Sequence, residues 1–201
     1  PPMKQVLEWR ETTLGALHPE TLIAVRSLAK LLLAQGKLSE AEPLLKRLLE
    51  GLVATLGALH PKTLTAVVNL AKLLQDQGKL VEAEPLMKQS LEGLEATLGA
   101  LHPETLTAVA NLAALLYAQG KLKEAEPLMK QSLEGLEATL GALHPSTLIS
   151  AANLACLLKD QGKLDEAVLL MKQALEGREA TLGVLHPFTL ESVGNLMSML
   201  K

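Results

Sequence analysis

Apolar residues recur with helical spacing along the whole chain, in stretches separated by glycine. Between residues 103 and 118 the apolar positions lie three or four residues apart, at Leu106, Val109, Leu112, Ala113, Leu115 and Leu116. This pattern predicts an amphipathic helix of about 16 residues. The stretch that follows a predicted turn at Lys121-Leu122-Lys123 predicts a second helix of about 18 residues, because its apolar positions also share one helical face. They are Ala125, Leu128, Met129, Leu133, Leu136 and Leu140.

The helix pair recurs with a fixed period. The five histidines are spaced 42 residues apart and each is followed by proline; they are His18, His60, His102, His144 and His186. A period of this size is typical of stacked helical hairpins, in which each repeat covers the apolar face of its neighbours. Because proline fits the first helical turn, each His-Pro pair is predicted to begin a helix. Glycines such as Gly120 are predicted to end one.

We therefore expect an all-α fold, an α-solenoid of stacked antiparallel helical hairpins, forming a single repeat array over residues 1–201. Full repeats are predicted at 16–57, 58–99, 100–141 and 142–183. Residues 1–15 are predicted to form a second helix without its first helix, and 184–201 a first helix without its second. A hypothesis that follows is head-to-tail self-association, in which the last helix of one molecule packs on the first helix of the next.

The repeat resembles the tetratricopeptide repeat. The residues that carry the resemblance are Asn111-Leu112-Ala113, Gly120, Leu122, Glu124-Ala125, Met129 and Leu133. The 42-residue period and the Leu-Gly-x-x-His-Pro connection are similar to the form found in kinesin light chains. The resemblance implies a right-handed superhelix whose first helices line a concave groove, and a role in protein–protein interaction.

One stripe of the first helix varies between repeats while the rest is held constant. The varying sets begin at Ile23, Arg26, Lys30, Leu33 and Ala34, and these positions span an arc of about 100° on a helix. One interpretation is that these side chains contact nothing and have drifted. The other is a ligand groove whose chemistry changes from repeat to repeat.

An asparagine recurs within this arc, at Asn69, Asn111, Asn153 and Asn195. The resemblance implies that such a ladder binds the backbone of an extended peptide; the alternative is a structural hydrogen bond between adjacent repeats. The predicted peptide-binding residues are Arg26, Lys30, Asn69, Lys72, Asn111, Ala114, Tyr117, Asn153 and Lys159. The start of this groove is predicted to be basic and its middle apolar, which would fit an acidic segment flanking an apolar anchor.

Composition argues against several other functions. A net charge of −3 gives no electrostatic basis for binding nucleic acid or an anionic membrane. No apolar run reaches the length of a membrane span. Equivalent histidines of packed helices are about 8–10 Å apart, too far to share a metal. The one cysteine, Cys156, excludes an internal disulfide and is typical of a reducing compartment, so a cytoplasmic location is expected.

The interior glycines of the second helices, at 51, 93, 135 and 177, favour close packing or a bend against the next helix over a functional hinge, because glycine costs a helix about 0.5–1 kcal/mol relative to alanine. The sequence thus predicts a non-enzymatic scaffold that binds a protein or peptide and carries no cofactor and no metal. The alternative is a purely architectural array, a spacer or a self-assembling filament, with no specific ligand.

Overall fold

The computed structural model describes residues 2–200, which form helices joined by short turns. The helices are α1 (Pro2–Leu14), α2 (Pro19–Ala34), α3 (Leu38–Leu56), α4 (Pro61–Asp76), α5 (Leu80–Leu98), α6 (Pro103–Ala118), α7 (Leu122–Leu140), α8 (Pro145–Asp160), α9 (Leu164–Leu182) and α10 (Pro187–Met199). First helices have 16 residues in each full repeat and second helices have 19, as the hydrophobic pattern predicts. The fold is an all-α repeat solenoid.

The helices fall into two compact units, Pro1–Thr97 and Leu98–Lys201. In the first, α2 packs against α3, and α3 packs against α4. In the second, α6 packs on α7, α7 on α8, α8 on α9, and α9 on α10. The apolar stripes of α3, α7, α8 and α9 are therefore each covered by the helix before and the helix after, which is how a solenoid builds its core without a central one.

Each first helix begins at a His-Pro pair, and the histidine is its N-cap. The imidazole Nδ1 accepts a hydrogen bond from the backbone N–H two residues later, over 3.1 to 3.3 Å. That N–H would otherwise lack a partner at the helix start. Since Nδ1 is the acceptor, the ring hydrogen is on Nε2. The cap explains the recurring histidine without a metal or a reaction.

The interior glycines confirm the packing interpretation. A Cβ added at Gly135 would lie 2.4 Å from Cδ2 of Leu106, and one at Gly51 would lie 2.6 Å from Cδ2 of Leu22. The leucine in each case belongs to the first helix of the same repeat. The glycine therefore lets the two helices of a hairpin approach closely. The turn between those helices also uses glycine, since Gly120 has a φ of 76°.

Two features of the second helix differ from what its sequence suggests, since Pro127 was expected near the helix start, where a missing N–H costs little, and Ser132 was not among the expected core positions. The proline of the second helix, such as Pro127, lies in the second turn of α7 rather than the first. It therefore removes a helical hydrogen bond instead of replacing an N–H that is free anyway. Ser132 is fully buried on the packed face of α7, where its hydroxyl donates to the carbonyl of Leu106 over 2.9 Å.

Candidate functional site

In the first unit the predicted stripe lies on α2 and α4. Arg26, Lys30 and Lys72 are exposed, and Asn69 is half-buried. Among the described residues, no ion pair involves any of these three cations. Their positive charge therefore faces solvent, while the opposite side of each helix contributes leucine, alanine and valine to the core.

In the second unit the stripe lies on α6 and α8, which pack beside each other. Asn111 and Asn153 are exposed, and Ala114 is half-buried between buried leucines of α6. No hydrogen bond described for residues 2–200 involves the side chain of either asparagine. The hydrogen bonds that the structure describes between adjacent first helices involve Tyr117 and Lys159 instead.

Tyr117 makes one of those bonds. Its hydroxyl, on α6, donates to a carboxylate oxygen of Asp160 on α8. Burial and the neighbouring Asp160 carboxylate raise the pKa of Tyr117 well above its usual value of 10. The phenol is thus held neutral as a donor and ties adjacent first helices together.

Lys159 makes the second bond of this kind. Its ammonium, near the end of α8, donates to the hydroxyl of Ser198 on α10 over 2.9 Å. Two of the predicted site residues, Tyr117 and Lys159, therefore support the surface by holding neighbouring repeats in register. These partners could not be identified from the sequence, because Asp160 and Ser198 lie about one repeat further along the chain.

Cys156 is half-buried on α8, in the same stripe. Burial is the main cause that raises the pKa of its thiol, and the Asp160 carboxylate adds to the effect. A reactive cysteine needs the opposite shift, because the thiolate is the nucleophile. Within the described part of the chain there is also no cluster of three or more side chains suited to holding a metal.

A polar contact that sequence reasoning missed joins α7 to the turn between α8 and α9. Glu126 on α7 accepts hydrogen bonds from Lys163 over 2.8 Å, from Gln161 over 2.9 Å and from Lys130 over 2.8 Å. These donors lower the pKa of Glu126 to about 2. The signal was present in the sequence, since glutamate recurs at this point in three repeats and lysine recurs 37 residues later.

The first unit has the same contact. Glu42 on α3 accepts from Lys79 and from Lys46, each over 2.7 Å, and its pKa is likewise lowered to about 2. In the last full repeat the glutamate is replaced by Val168. This charged cluster therefore binds one repeat to the next and is a structural feature of the array.

The end helices expose apolar side chains, as expected. On α1, Trp9 is exposed, and on α10 Phe188, Leu190 and Met197 are exposed. Trp9 occupies the position of the interior glycines, and Leu190 that of the leucine which packs on them. An arginine also takes the position of a core leucine in α1 and in α9. On α9, Arg178 donates to the carbonyl of Phe188 and to the hydroxyl of Ser192, each over 2.7 Å.

No helix among the described residues is both long and apolar enough to cross a membrane.

Known proteins support this interpretation of the fold. Tetratricopeptide repeat profiles match residues 21–62, 62–138 and 107–180. Among solved structures, the chain is similar to the nearly identical TPR-like repeats of a kinesin light chain from Podosopora anserina. One structure of these repeats is 31% identical over 89% of this chain and 85% of that chain, with a TM-score of 0.78. Another is 30% identical over 90% and 85%, with a TM-score of 0.80.

A third similar structure, BtubC (BKLC) from P. vanneervenii, is 18% identical over 98% of this chain and 78% of that chain. Its TM-score of 0.76 shows a shared fold. No curated protein sequence matches the chain. The chain belongs to the tetratricopeptide repeat family, in its kinesin-light-chain-like form. Repeats of this family generally serve as non-catalytic scaffolds for protein interaction.

Proposed function

We propose that the chain is a non-enzymatic scaffold that binds an extended peptide along the exposed stripe of its first helices. The observation that carries this proposal is the contrast within one helix. On α6 and α8 the recurring leucines are buried, whereas the recurring Asn111 and Asn153 are exposed at equivalent positions in adjacent repeats. An amide offers both a donor and an acceptor, which is what an extended peptide backbone requires.

The charge of the stripe suggests which peptides would bind. On α2 and α4, Arg26, Lys30 and Lys72 present positive charge beside Asn69, so an acidic segment is expected there. On α6, Ala114 and the ring of Tyr117 offer a small apolar surface for an anchor residue. Lys159 contributes its charge at the end of α8. The expected cytoplasmic location stays a prediction.

The experiment is a peptide-library selection against the wild type and an Asn69→Ala/Asn111→Ala/Asn153→Ala variant. A matched control replaces one exposed amide per repeat on the second helices, Gln89→Ala/Gln131→Ala/Gln173→Ala. The proposal expects a sequence motif that is enriched by the wild type and the control and lost by the asparagine variant. Helical content, followed by circular dichroism, should be the same in all three. Enrichment that survives the asparagine substitutions would refute the proposal.

The alternative is an architectural array that assembles head to tail. Two side chains weigh against such assembly in the register of the repeats. In that register Leu190 of one molecule would meet Trp9 of the next, yet the interior repeats leave only 2.4 to 2.6 Å between the leucine and a single added Cβ. Met197 would take the place of alanines that are fully buried, such as Ala113 and Ala155. Sedimentation velocity at increasing concentration tests this alternative, which requires species larger than the monomer.

A further inference from the structure

The connections between repeats form a second surface in the unit of residues 98–200. The helices α6, α8 and α10 all begin directly after a His-Pro pair, and α8 packs beside both α6 and α10. Parallel neighbours have their N-termini at the same edge, so the three connections lie next to one another. We name this surface the His-Pro edge and define it by Leu101, Leu143 and Leu185, one leucine from each connection.

These leucines are unusually open to solvent. Leu101 is 70% exposed, Leu143 57% and Leu185 83%. Val184 and Phe188 continue the apolar surface beside Leu185 and are more than half exposed. Burying leucine side chains is favourable, so covering these three would stabilise a complex. Exposed apolar residues that are grouped rather than scattered are typical of an interaction surface.

The exposed charged side chains in and beside the three connections are acidic, whereas Arg178, which donates to the carbonyl of Phe188, is buried. Glu104 lies in the first turn of α6, and Glu137 and Glu179 lie in the last turns of α7 and α9; all three are exposed. Segments 98–104, 137–148 and 179–190 contain no lysine and no arginine. No ion pair involves these glutamates in the part of the chain that the structure describes.

Glu137 and Glu179 lie at helix ends where a negative charge is unfavourable. The C-terminal turn of a helix carries partial negative charge, so a carboxylate there is unfavourable and a cation is favourable. Neither α7 nor α9 has a basic residue in its last turn. Residues that break a local rule with no compensating contact inside the fold are candidates for a contact outside it.

We propose that the His-Pro edge binds a basic amphipathic helix of another protein. Leucine-sized residues of that helix would pack between Leu101, Leu143 and Leu185, and its lysines or arginines would pair with Glu137 and Glu179. Neighbouring packed helices are about 8–10 Å apart, and seven residues of a helix rise about 10 Å. One apolar residue in each heptad of the bound helix would therefore reach one leucine of the edge. A second copy of this chain is disfavoured, because it would bring glutamates against glutamates. The proposal concerns a surface other than the asparagine stripe and does not depend on the proposed function.

The test uses a fluorescent synthetic helix of about three heptads, with leucine at the first and fourth heptad positions and lysine on both flanks. Binding is followed by fluorescence anisotropy. We expect saturable binding to the wild type, weakened about tenfold or more by Leu101→Ser/Leu185→Ser, since two apolar contacts are lost. Glu137→Gln/Glu179→Gln should weaken binding and reduce its dependence on salt. The matched control, Leu164→Ser/Leu169→Ser, replaces two exposed leucines of α9 outside the edge and should leave binding unchanged.

A second measurement keeps the result independent of folding. Hydrogen exchange of the wild type with the peptide bound should slow at amides of 137–148 and 179–190, and circular dichroism should be the same for all variants. The proposal is overturned if the wild type does not bind, if the leucine variant binds as tightly as the control, or if a scrambled peptide of the same composition binds equally well.

Discussion

The close approach of the two helices in each hairpin makes a sharp prediction at Gly135. Replacing this glycine with alanine adds a Cβ at 2.4 Å from Cδ2, 2.8 Å from Cδ1 and 3.2 Å from Cγ of Leu106. All three distances are below ordinary van der Waals contact. Leu106 has no exposed surface, so its side chain has little room to move away.

Two effects of opposite sign set the magnitude. Alanine is favoured over glycine in a helix by about 0.5–1 kcal/mol. Overpacking a close-packed core costs about 1–3 kcal/mol. Because three atoms of a fully buried leucine are displaced, the steric cost should exceed the helix gain, and Gly135→Ala should destabilise the fold by about 1–2 kcal/mol.

The chain provides a matched control at Gly194, an interior residue of α10 whose added Cβ would meet no atom within 4 Å. Gly194→Ala should therefore stabilise the fold by about 0.5–1 kcal/mol, the helix gain alone. Both variants can be compared by urea denaturation, followed by far-UV circular dichroism. A third measurement places Gly135→Ala in a Leu106→Ala background, where the contact no longer exists and the substitution should become stabilising. If Gly135→Ala stabilises the wild type as much as Gly194→Ala does, the packing explanation is refuted.

Three further predictions concern the caps and the polar contacts. His144→Ala removes the side-chain acceptor at the start of α8 and should cost about 1 kcal/mol in urea denaturation, whereas His144→Asn should keep most of the stability. Because the pKa of Glu126 is lowered, its contribution to the free energy of unfolding is complete above pH 4.5 and is lost as the pH falls towards about 2. Glu126→Gln should therefore flatten this part of a plot of melting temperature against pH. Because its lysine partners are half exposed, the contribution should be about 1 kcal/mol. Tyr117 is the only tyrosine, so ultraviolet absorbance should show it ionising above its usual value of 10, and Asp160→Asn should lower that pKa.

Each of these has a clear contrary result. The cap does not contribute to stability if the His144→Ala and His144→Asn variants have the same free energy of unfolding in urea denaturation. The cluster around Glu126 contributes nothing if wild type and Glu126→Gln lose stability in parallel between pH 4.5 and 2. The contact between Tyr117 and Asp160 is absent in solution if the phenol ionises at or below its usual value of 10.

Much of the fold could be predicted because it repeats one helical hairpin, whose two helices are determined by their local sequence. Hydrophobic spacing determined both helices of the hairpin, and Pro103 and Gly120 marked where the first of them begins and ends. The interior glycines were correctly interpreted as packing positions, since a helix tolerates glycine when a neighbour needs the space. The N-cap function of the histidine was missed, because serine, threonine, aspartate and asparagine are the usual caps and histidine is not among them.

The candidate site was predictable to a smaller extent. Comparing repeats identified the stripe that varies, and its members on α2, α4, α6 and α8 are exposed or half-buried, except Ala152, which is buried. What the sequence did not reveal is which side chains bond across repeats. Tyr117 reaches Asp160 and Glu126 reaches Lys163, over separations of 43 and 37 residues. Such pairs depend on how one hairpin is rotated on the next, and hydrophobic periodicity does not specify that rotation.

The central claim is that ligands bind along the exposed stripe of the first helices. The most direct test is hydrogen exchange of the chain with and without the peptide most enriched in the library selection. We predict that protection from hydrogen exchange increases in the first helices around Asn111 and Asn153. This increase should disappear when the same peptide is added to the Asn69→Ala/Asn111→Ala/Asn153→Ala variant. Protection confined to the second helices, or unchanged in that variant, would contradict it.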